Sequence, residues 1–202
     1  MKEGLLLVIS GPSGSGKGTV VRELCHDYEF ALSVSCTTRA RRAGERDGDE
    51  YFFCTEVEFA EKVERGEFLE YASFVGNLYG TPRSYVEKKI SEGKTVVLEI
   101  EVNGALQIRE QFPDCVLVFL IPPTFNDLRA RLEGRKTEGT LTIDDRLRRA
   151  KDEIKLIDKY DYIVINDVVS EAARQIKQIV EAEKLKPRRS AAELDKFKGA
   201  EF

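Results

Sequence analysis

The chain has 202 residues, enough for one compact α/β domain with insertions and an ample buried core. A formal net charge of −4 excludes bulk attraction to nucleic acid or to an anionic membrane, so any basic function must come from local clusters. No apolar run approaches the length of a membrane span, and four scattered cysteines with one histidine form neither a disulfide framework nor a zinc spacing.

In chain order, the first element is the apolar run Leu5-Leu6-Leu7-Val8-Ile9, which stops at a glycine-rich turn; from Thr19 a helix pattern begins. With no leader ahead of that strand, the chain is expected to be cytoplasmic, its thiols reduced. Gly11 and Gly16-Lys17 have the phosphate-loop spacing of glycine, four residues, glycine, lysine. Glycines at 11, 14 and 16 let backbone N–H groups turn inward, and the helix behind adds its positive end. Lys17 supplies a full charge for the β- and γ-phosphates of a nucleoside triphosphate. After Lys17 comes Gly18 rather than the usual magnesium-ligating hydroxyl, and Thr19 carries the next one. That arrangement resembles small-nucleotide kinases, in which the metal is held largely through water. It counts against a GTPase or a motor ATPase.

Phe30–Ser35 alternates as a short strand and runs into Cys36-Thr37-Thr38-Arg39-Ala40-Arg41-Arg42-Ala43-Gly44-Glu45. Such an arginine cluster is either a solvated basic loop or a site for a second phosphate, whose oxygens a planar guanidinium pairs bidentately. Tyr51–Cys54 is another short strand. Thr55 and Glu58 then have capping-box spacing for a helix over 56–65, closed by Gly66. A strand over 67–74, a turn at 75–78 and a helix over 84–91 follow. Residues from about 35 to 85 therefore predict a small mixed sheet with one helix, inserted into the main domain.

Thr95–Glu101 is a second buried strand ending in two acids, and alternation puts Glu99 and Glu101 on one face. Beside a phosphate loop such an acid approaches magnesium; otherwise Glu99 caps or forms a salt bridge. A helix over 105–111 leads to the strand Val116–Ile121, stopped by Pro122-Pro123. Thr124 or Asn126 caps the next helix, a polar patch covers 136–142, and a further helix runs over 143–159. Arg129, Arg131, Arg135, Arg146, Arg148 and Arg149 line this hairpin, which is suited to closing over phosphates. Charged surface faces account equally for Arg129, Arg148 and Arg149. Tyr162–Ile165 is a fourth parallel strand ending in Asn166-Asp167, backed by a helix over 170–185. Roughly the last 15 residues are expected to be poorly ordered. Buried strands alternating with helices predict a mainly parallel sheet covered on both faces.

Together these residues resemble the guanylate kinases, of the nucleoside monophosphate kinase group. The resemblance spans about 5–185 and rests on GPSGSGKGT at 11–19, SCTTRARRAGE at 35–45 and GEFLEYASFVGNLYGT at 66–81. RLEGR at 131–135 with Arg146, and DYIVIND at 161–167, complete it. It implies an α/β fold: a P-loop NTPase core with a parallel sheet, an inserted small mixed α+β GMP-binding region, and a helical lid. The single domain over 1–202 would divide into core (about 4–34, 92–125 and 157–185), GMP-binding region (35–91), lid (126–156) and flexible tail (186–202).

By the same resemblance Gly11, Pro12, Ser13, Gly14, Ser15, Gly16, Lys17, Gly18 and Thr19 bind ATP, with Asn166 on its adenine side. Ser35, Glu70 and Thr81 hold guanine; Arg39, Arg42, Tyr51 and Tyr79 take the GMP phosphate, and Glu101 lies near GMP or metal. Lys17, Arg39, Arg131, Arg135 and Arg146 are the implied catalytic set. Mg²⁺ arrives with ATP, held mainly by phosphates and water, with Thr19 and Glu99 as candidate ligands. The implied reaction makes GDP and ADP from GMP and ATP in purine metabolism. Deoxy-GMP is a further expected substrate, because nothing in the sequence clearly reads the ribose 2′-hydroxyl. The expected partners are these small molecules alone, without nucleic acid or membrane, on a monomer. Guanine offers donors at N1 and its 2-amino group, so one carboxylate can accept both, whereas adenine presents a lone pair at N1.

Two alternatives stay open at this point. A guanylate-kinase-like binding module would lack catalysis, although such modules characteristically lose the phosphate loop kept here. A kinase for another monophosphate would keep the fold and change the base-reading residues. Three departures from the family pattern stand out: Glu101-Val102-Asn103-Gly104 where an aspartate, an aromatic and Gln-Gly are usual, Lys136 for a common glycine, and Thr140-Leu141 for acids.

Overall fold

The computed structural model describes residues 4–74, 76–134 and 142–189. From β1 (Leu5–Ser10) the chain passes through the glycine-rich turn into α1 (Lys17–Leu24), β2 (Phe30–Leu32), β3 (Cys36–Thr37) and β4 (Phe52–Phe53). Next come α2 (Glu56–Glu64), β5 (Phe68–Phe74), β6 (Asn77–Pro82) and α3 (Arg83–Ser91). The second half runs β7 (Thr95–Glu99), α4 (Val102–Gln111), β8 (Val116–Ile121), α5 (Phe125–Glu133), α6 (Ile143–Ile154), β9 (Tyr162–Ile165) and α7 (Val169–Lys184).

Five strands, in the order β2-β7-β1-β8-β9, form an all-parallel sheet. β1 is central, with Val8 opposite Leu98 on one side and Leu117 on the other. Leu5, Leu7 and Ile9 pack with Val20 and Leu24 of α1 and Ile176 and Val180 of α7. Leu6 and Val8 face the opposite layer, with Val86 of α3 and Ala105 and Ile108 of α4. A strand covered on both faces gains from an apolar residue at every position, which is why β1 reads as a run rather than an alternation. Parallel strands also end on one side, so the phosphate loop, Glu99 and Asn166 leave the sheet along a common edge.

A second sheet, ordered β4-β3-β6-β5, is parallel between β3 and β4 and antiparallel elsewhere. Its cover is α2, held by Phe59 stacked on Phe68 with centroids 4.6 Å apart. Both hydrogen bonds of the Thr55–Glu58 capping box form at the start of α2.

Some expectations change. Phe30–Ser35 is not one strand: β2 ends at Leu32 on the main sheet, and β3 begins at Cys36 on the small one. Glu99 and Glu101 do not share a strand face, because β7 stops at Glu99 and Glu101 is the N-cap of α4. The helix expected over 143–159 stops at Ile154, and a 3₁₀ turn follows over Ile157–Lys159. Of the tail expected to loosen from 186, the described residues Pro187–Arg189 form a turn, with Arg188 paired to Asp114 at 2.8 Å. Expectations for the residues beyond it, for Arg135 and for the lid tip at 136–141 lie outside the described residues. Among the described residues no helix is long and apolar enough to cross a membrane, and all four cysteines are free.

Candidate active site

Gly16 caps α1 with φ 91°, a left-handed conformation that strains any residue bearing a Cβ. Such a Cβ would also stand 2.3 Å from Asn166 Nδ2. Asn166 is buried just beyond β9, and its Nδ2 donates to the Ser15 carbonyl at 2.8 Å. Arg131 of α5 braces the same residues, donating to the Asn166 carbonyl at 2.8 Å and to the Ser15 carbonyl at 3.4 Å. Lys17, the first residue of α1, folds its ammonium over the loop, donating to the carbonyls of Gly11 at 2.5 Å and Pro12 at 3.2 Å. The loop is thus held in shape by its own Lys17 and by groups from two distant stretches, Arg131 and Asn166. Gly16→Ala is expected to cost about 1–3 kcal/mol of stability and to weaken ATP binding. Urea unfolding with ATP calorimetry checks this; native values for both would exclude the strut.

Gly18 matters for space. A Cβ there would lie 3.2 and 3.3 Å from Glu99 Oε1 and Oε2, so the carboxylate ending β7 stands beside the loop where a longer residue's side chain would begin. The neighbouring hydroxyl, on Thr19, is exposed.

Two clefts meet at this loop. One, of about 340 Å³, is lined by Gly14, Gly16, Thr19, Arg131, Asn166 and Val169. The other, of about 370 Å³, gathers Lys17, Ser35, Tyr51, Glu70, Tyr79, Glu99, Glu101 and Arg149. The phosphate loop is the wall between them.

Deep in the second cleft lies Glu70 of β5, only 6% exposed. Thr81, fully buried on the adjacent β6, donates its hydroxyl to Glu70 Oε1 at 2.6 Å. Burial pushes the Glu70 carboxyl above its ordinary value, and hydrogen bonds from the Thr81 hydroxyl and backbone pull partly back. Among the described residues no cation pairs with it. Burying a carboxylate this way costs folding free energy, which points to a function for it.

The arginine loop closes on itself. Arg39 bonds Glu45 Oε1 at 2.7 Å and the Ala40 carbonyl at 2.8 Å, while the Arg42 backbone N–H donates to Glu45 Oε2 at 2.8 Å. Glu45 raises the affinity of Arg39 for its proton, and Arg39 in turn holds the Glu45 carboxyl below its usual range. The Arg39 guanidinium lies 5.4 Å from the Tyr51 ring, and Tyr51 meets Tyr79 edge-on at 5.8 Å. Arg39, Tyr51 and Tyr79 are therefore brought together, whereas the Arg42 side chain is exposed. Arg146 is half-buried on α6.

Sequence reasoning missed two residues. Glu45 organises the arginine loop, and its position at the end of the basic run was the available signal. For Arg149 the sequence leaves a phosphate-closing hairpin and a charged surface face equally open; in the structure it reaches Glu101 and lines the second cleft. Its only signal was a place one turn from Arg146.

The family model described as guanylate kinase matches residues 3–183. The chain is 53% identical over 183 residues to the guanylate kinase of Lactococcus lactis subsp. lactis (strain IL1403), covering 90% of this chain and 89% of that one. It is 52% identical over 182 residues to the guanylate kinase of Streptococcus pneumoniae (strain ATCC BAA-255 / R6), covering 89% and 88%. Among solved structures, the crystal structure of guanylate kinase from Anaplasma phagocytophilum superposes with a TM-score of 0.75 at 34% identity, covering 94% of this chain and 90% of that one. With a family model spanning nearly its whole length and relatives at half identity over nine-tenths of both chains, the chain belongs to the guanylate kinase family.

Proposed function

We propose that the chain carries out its family's reaction, ATP and GMP giving ADP and GDP, with ATP in the cleft beside Asn166 and GMP in the cleft around Glu70. The observation that carries this reading is Glu70, a buried carboxylate without a cation partner among the described residues, in a cleft that also holds Lys17. Its two oxygens match the N1 and 2-amino donors of guanine, with Ser35 and Thr81 beside it. Thr81 fixes the carboxylate, since its proton is already committed to Oε1. No residue in this cleft is assigned to the ribose 2′-hydroxyl, so dGMP is a substrate as well.

The GMP phosphate belongs with Arg39, Arg42, Tyr51 and Tyr79. Glu45 holds the Arg39 guanidinium until a phosphate dianion, the stronger acceptor, displaces it. An oxygen of that phosphate attacks the γ-phosphorus of ATP in line with the departing ADP oxygen. The transition state spreads charge over phosphoryl oxygens, so the protein's work is alignment and electrostatics, with no nucleophilic side chain. Lys17 neutralises charge at the β- and γ-oxygens, cradled by residues 11–19. Arg131 and Arg146, with Arg135 outside the described residues, serve the same oxygens. Asn166, which braces the loop, also faces adenine.

Of the two candidate ligands, Glu99 sets its carboxylate beside the loop at Gly18 and suits a hard cation that keeps several waters, whereas Thr19 lines the other cleft. Bound there with ATP, Mg²⁺ would supply positive charge against the phosphate oxygens. The reading extends to a monomeric, cytoplasmic enzyme of purine metabolism without nucleic-acid or membrane partners. Its regions are a core of about 4–34, 92–125 and 157–185, a GMP-binding region of 35–91 and a lid of 126–156.

A coupled assay of ADP formation with Mg²⁺ and ATP, comparing GMP, dGMP, AMP, UMP and CMP, tests it. Turnover with GMP and dGMP and at least about 10²-fold less with AMP is expected. Equal use of AMP would remove Glu70 as the base reader, and binding of GMP without turnover would leave a binding module.

A further inference from the structure

We infer that Arg149 is a positioning residue that couples the two clefts, by tying helix α6 to Glu101 at the edge of the GMP cleft. The inference rests on the substrate assignment above and goes beyond it, because it links the two sites.

Arg149 projects from the middle of α6, and its guanidinium makes an ion pair with Glu101 Oε2, 48 residues away in sequence. Its Nε also donates to Glu153 Oε1 at 3.0 Å. Glu101 is the N-cap of α4 and lines the cleft with Glu70 and Lys17. Glu153 is 12% exposed in its side chain, and its carboxyl is pushed up by burial and by the Glu101 charge, while Arg149 and Lys17 pull it back. The guanidinium therefore sits between two carboxylates that would otherwise repel, at the point where the GMP cleft meets the phosphate loop.

The same helix reaches the other cleft through packing. Leu147 and Ala150 of α6 are buried against Leu128 and Leu132 of α5. α5 carries Arg131, whose guanidinium bonds the carbonyls of Ser15 and Asn166 in the loop wall. Arg146 precedes Arg149 by three residues, so both lie on one side of α6. A change at Glu101 on GMP binding is transmitted through Arg149 to α6, and from there to Arg146 and Arg131. Glu101 and Arg149 are both close to half exposed, which keeps the pair weak enough to be remade during a catalytic cycle.

The test is calorimetric. The dissociation constant for GMP is measured with and without a non-hydrolysable ATP analogue, in the native chain, R149A, R149K, E101A and the double variant. In the native chain the analogue is expected to tighten GMP roughly fivefold or more, with the reciprocal effect on the analogue. In R149A and E101A this factor falls to within about twofold of unity, the double variant adds nothing further, and R149K restores part of it. A merely structural arginine would lower the melting temperature and leave the factor alone. Coupling that survives in folded R149A or E101A, or none in a native chain that binds both ligands, overturns the inference. A native chain that fails to bind GMP overturns the substrate assignment itself, and the inference with it.

Discussion

Lys17→Ala is expected to lower kcat by about 10³-fold or more, with a circular-dichroism spectrum matching the native one. The side chain is the first residue of α1, and its ammonium sits over the loop that separates the two clefts, bonded to the carbonyls of Gly11 and Pro12. Those carbonyls are neutral acceptors. When a triphosphate arrives it offers anionic oxygens, and a charge-assisted bond is roughly twice as strong as a neutral one, so the ammonium turns from loop to ligand. Alanine removes the charge where the transferring group carries most of its own. The loop loses two bonds as well, yet Asn166 and Arg131 still brace it from the other side, so the fold survives. Steady-state kinetics and ATP calorimetry separate the two effects. Activity within about tenfold of native would remove Lys17 from the transition state. Lys17→Arg tests the geometry, because a planar fork does not replace a compact ammonium at one point of the loop.

What was legible in the sequence divides by the distance over which each feature is determined. β8 and β9 run over the residues read for them, since each apolar run ends at a local breaker, Pro122 or Asn166. The capping box of α2 and the phosphate loop depend on neighbours a few residues away and were equally plain. Phe30–Ser35 failed because its alternation is continuous while its partners are not. Leu32 pairs with Val97 on one sheet and Cys36 with Gly80 on the other, and no local signal marks the crossing. The strand ending at Pro82 was hidden for the same reason, since its register is set by Phe68 and Tyr71 across a bulge. The site follows this rule. Lys17 is readable from spacing alone, whereas Glu70 acquires its partner from another strand and entered through the family resemblance. Arg149 depends on an acid on the far side of the cleft, and nothing within a helical turn of it could reveal that.

Glu70→Gln is expected to separate stability from recognition, which makes it the sharper of the two substitutions. The carboxyl is buried, and its raised pKa means that the folded chain holds that proton more tightly than the unfolded chain does. Such a group contributes stability that is fully present below the unfolded pKa and is lost as pH rises through the folded one. At neutral pH the charge is therefore a burden on the free protein. Glutamine keeps the shape and an acceptor for the Thr81 hydroxyl without the charge, so the variant melts higher than native at pH 7, and the difference shrinks as the pH is lowered. Recognition moves the opposite way. One carboxylate oxygen becomes an NH₂ that faces a guanine donor, two donors meet in a dry cleft, and kcat/KM for GMP falls about 10²-fold or more. The KM for ATP stays near native, because Glu70 lies in the other cleft. Protonation imitates the substitution: in the native chain kcat/KM for GMP drops as the pH falls through the raised Glu70 value, a limb that Glu70→Gln lacks. Melting curves against pH, with kinetics for both substrates, measure all of this. A variant that melts lower than native at pH 7, or loses ATP and GMP use equally, would make Glu70 a structural residue and leave guanine to be read elsewhere.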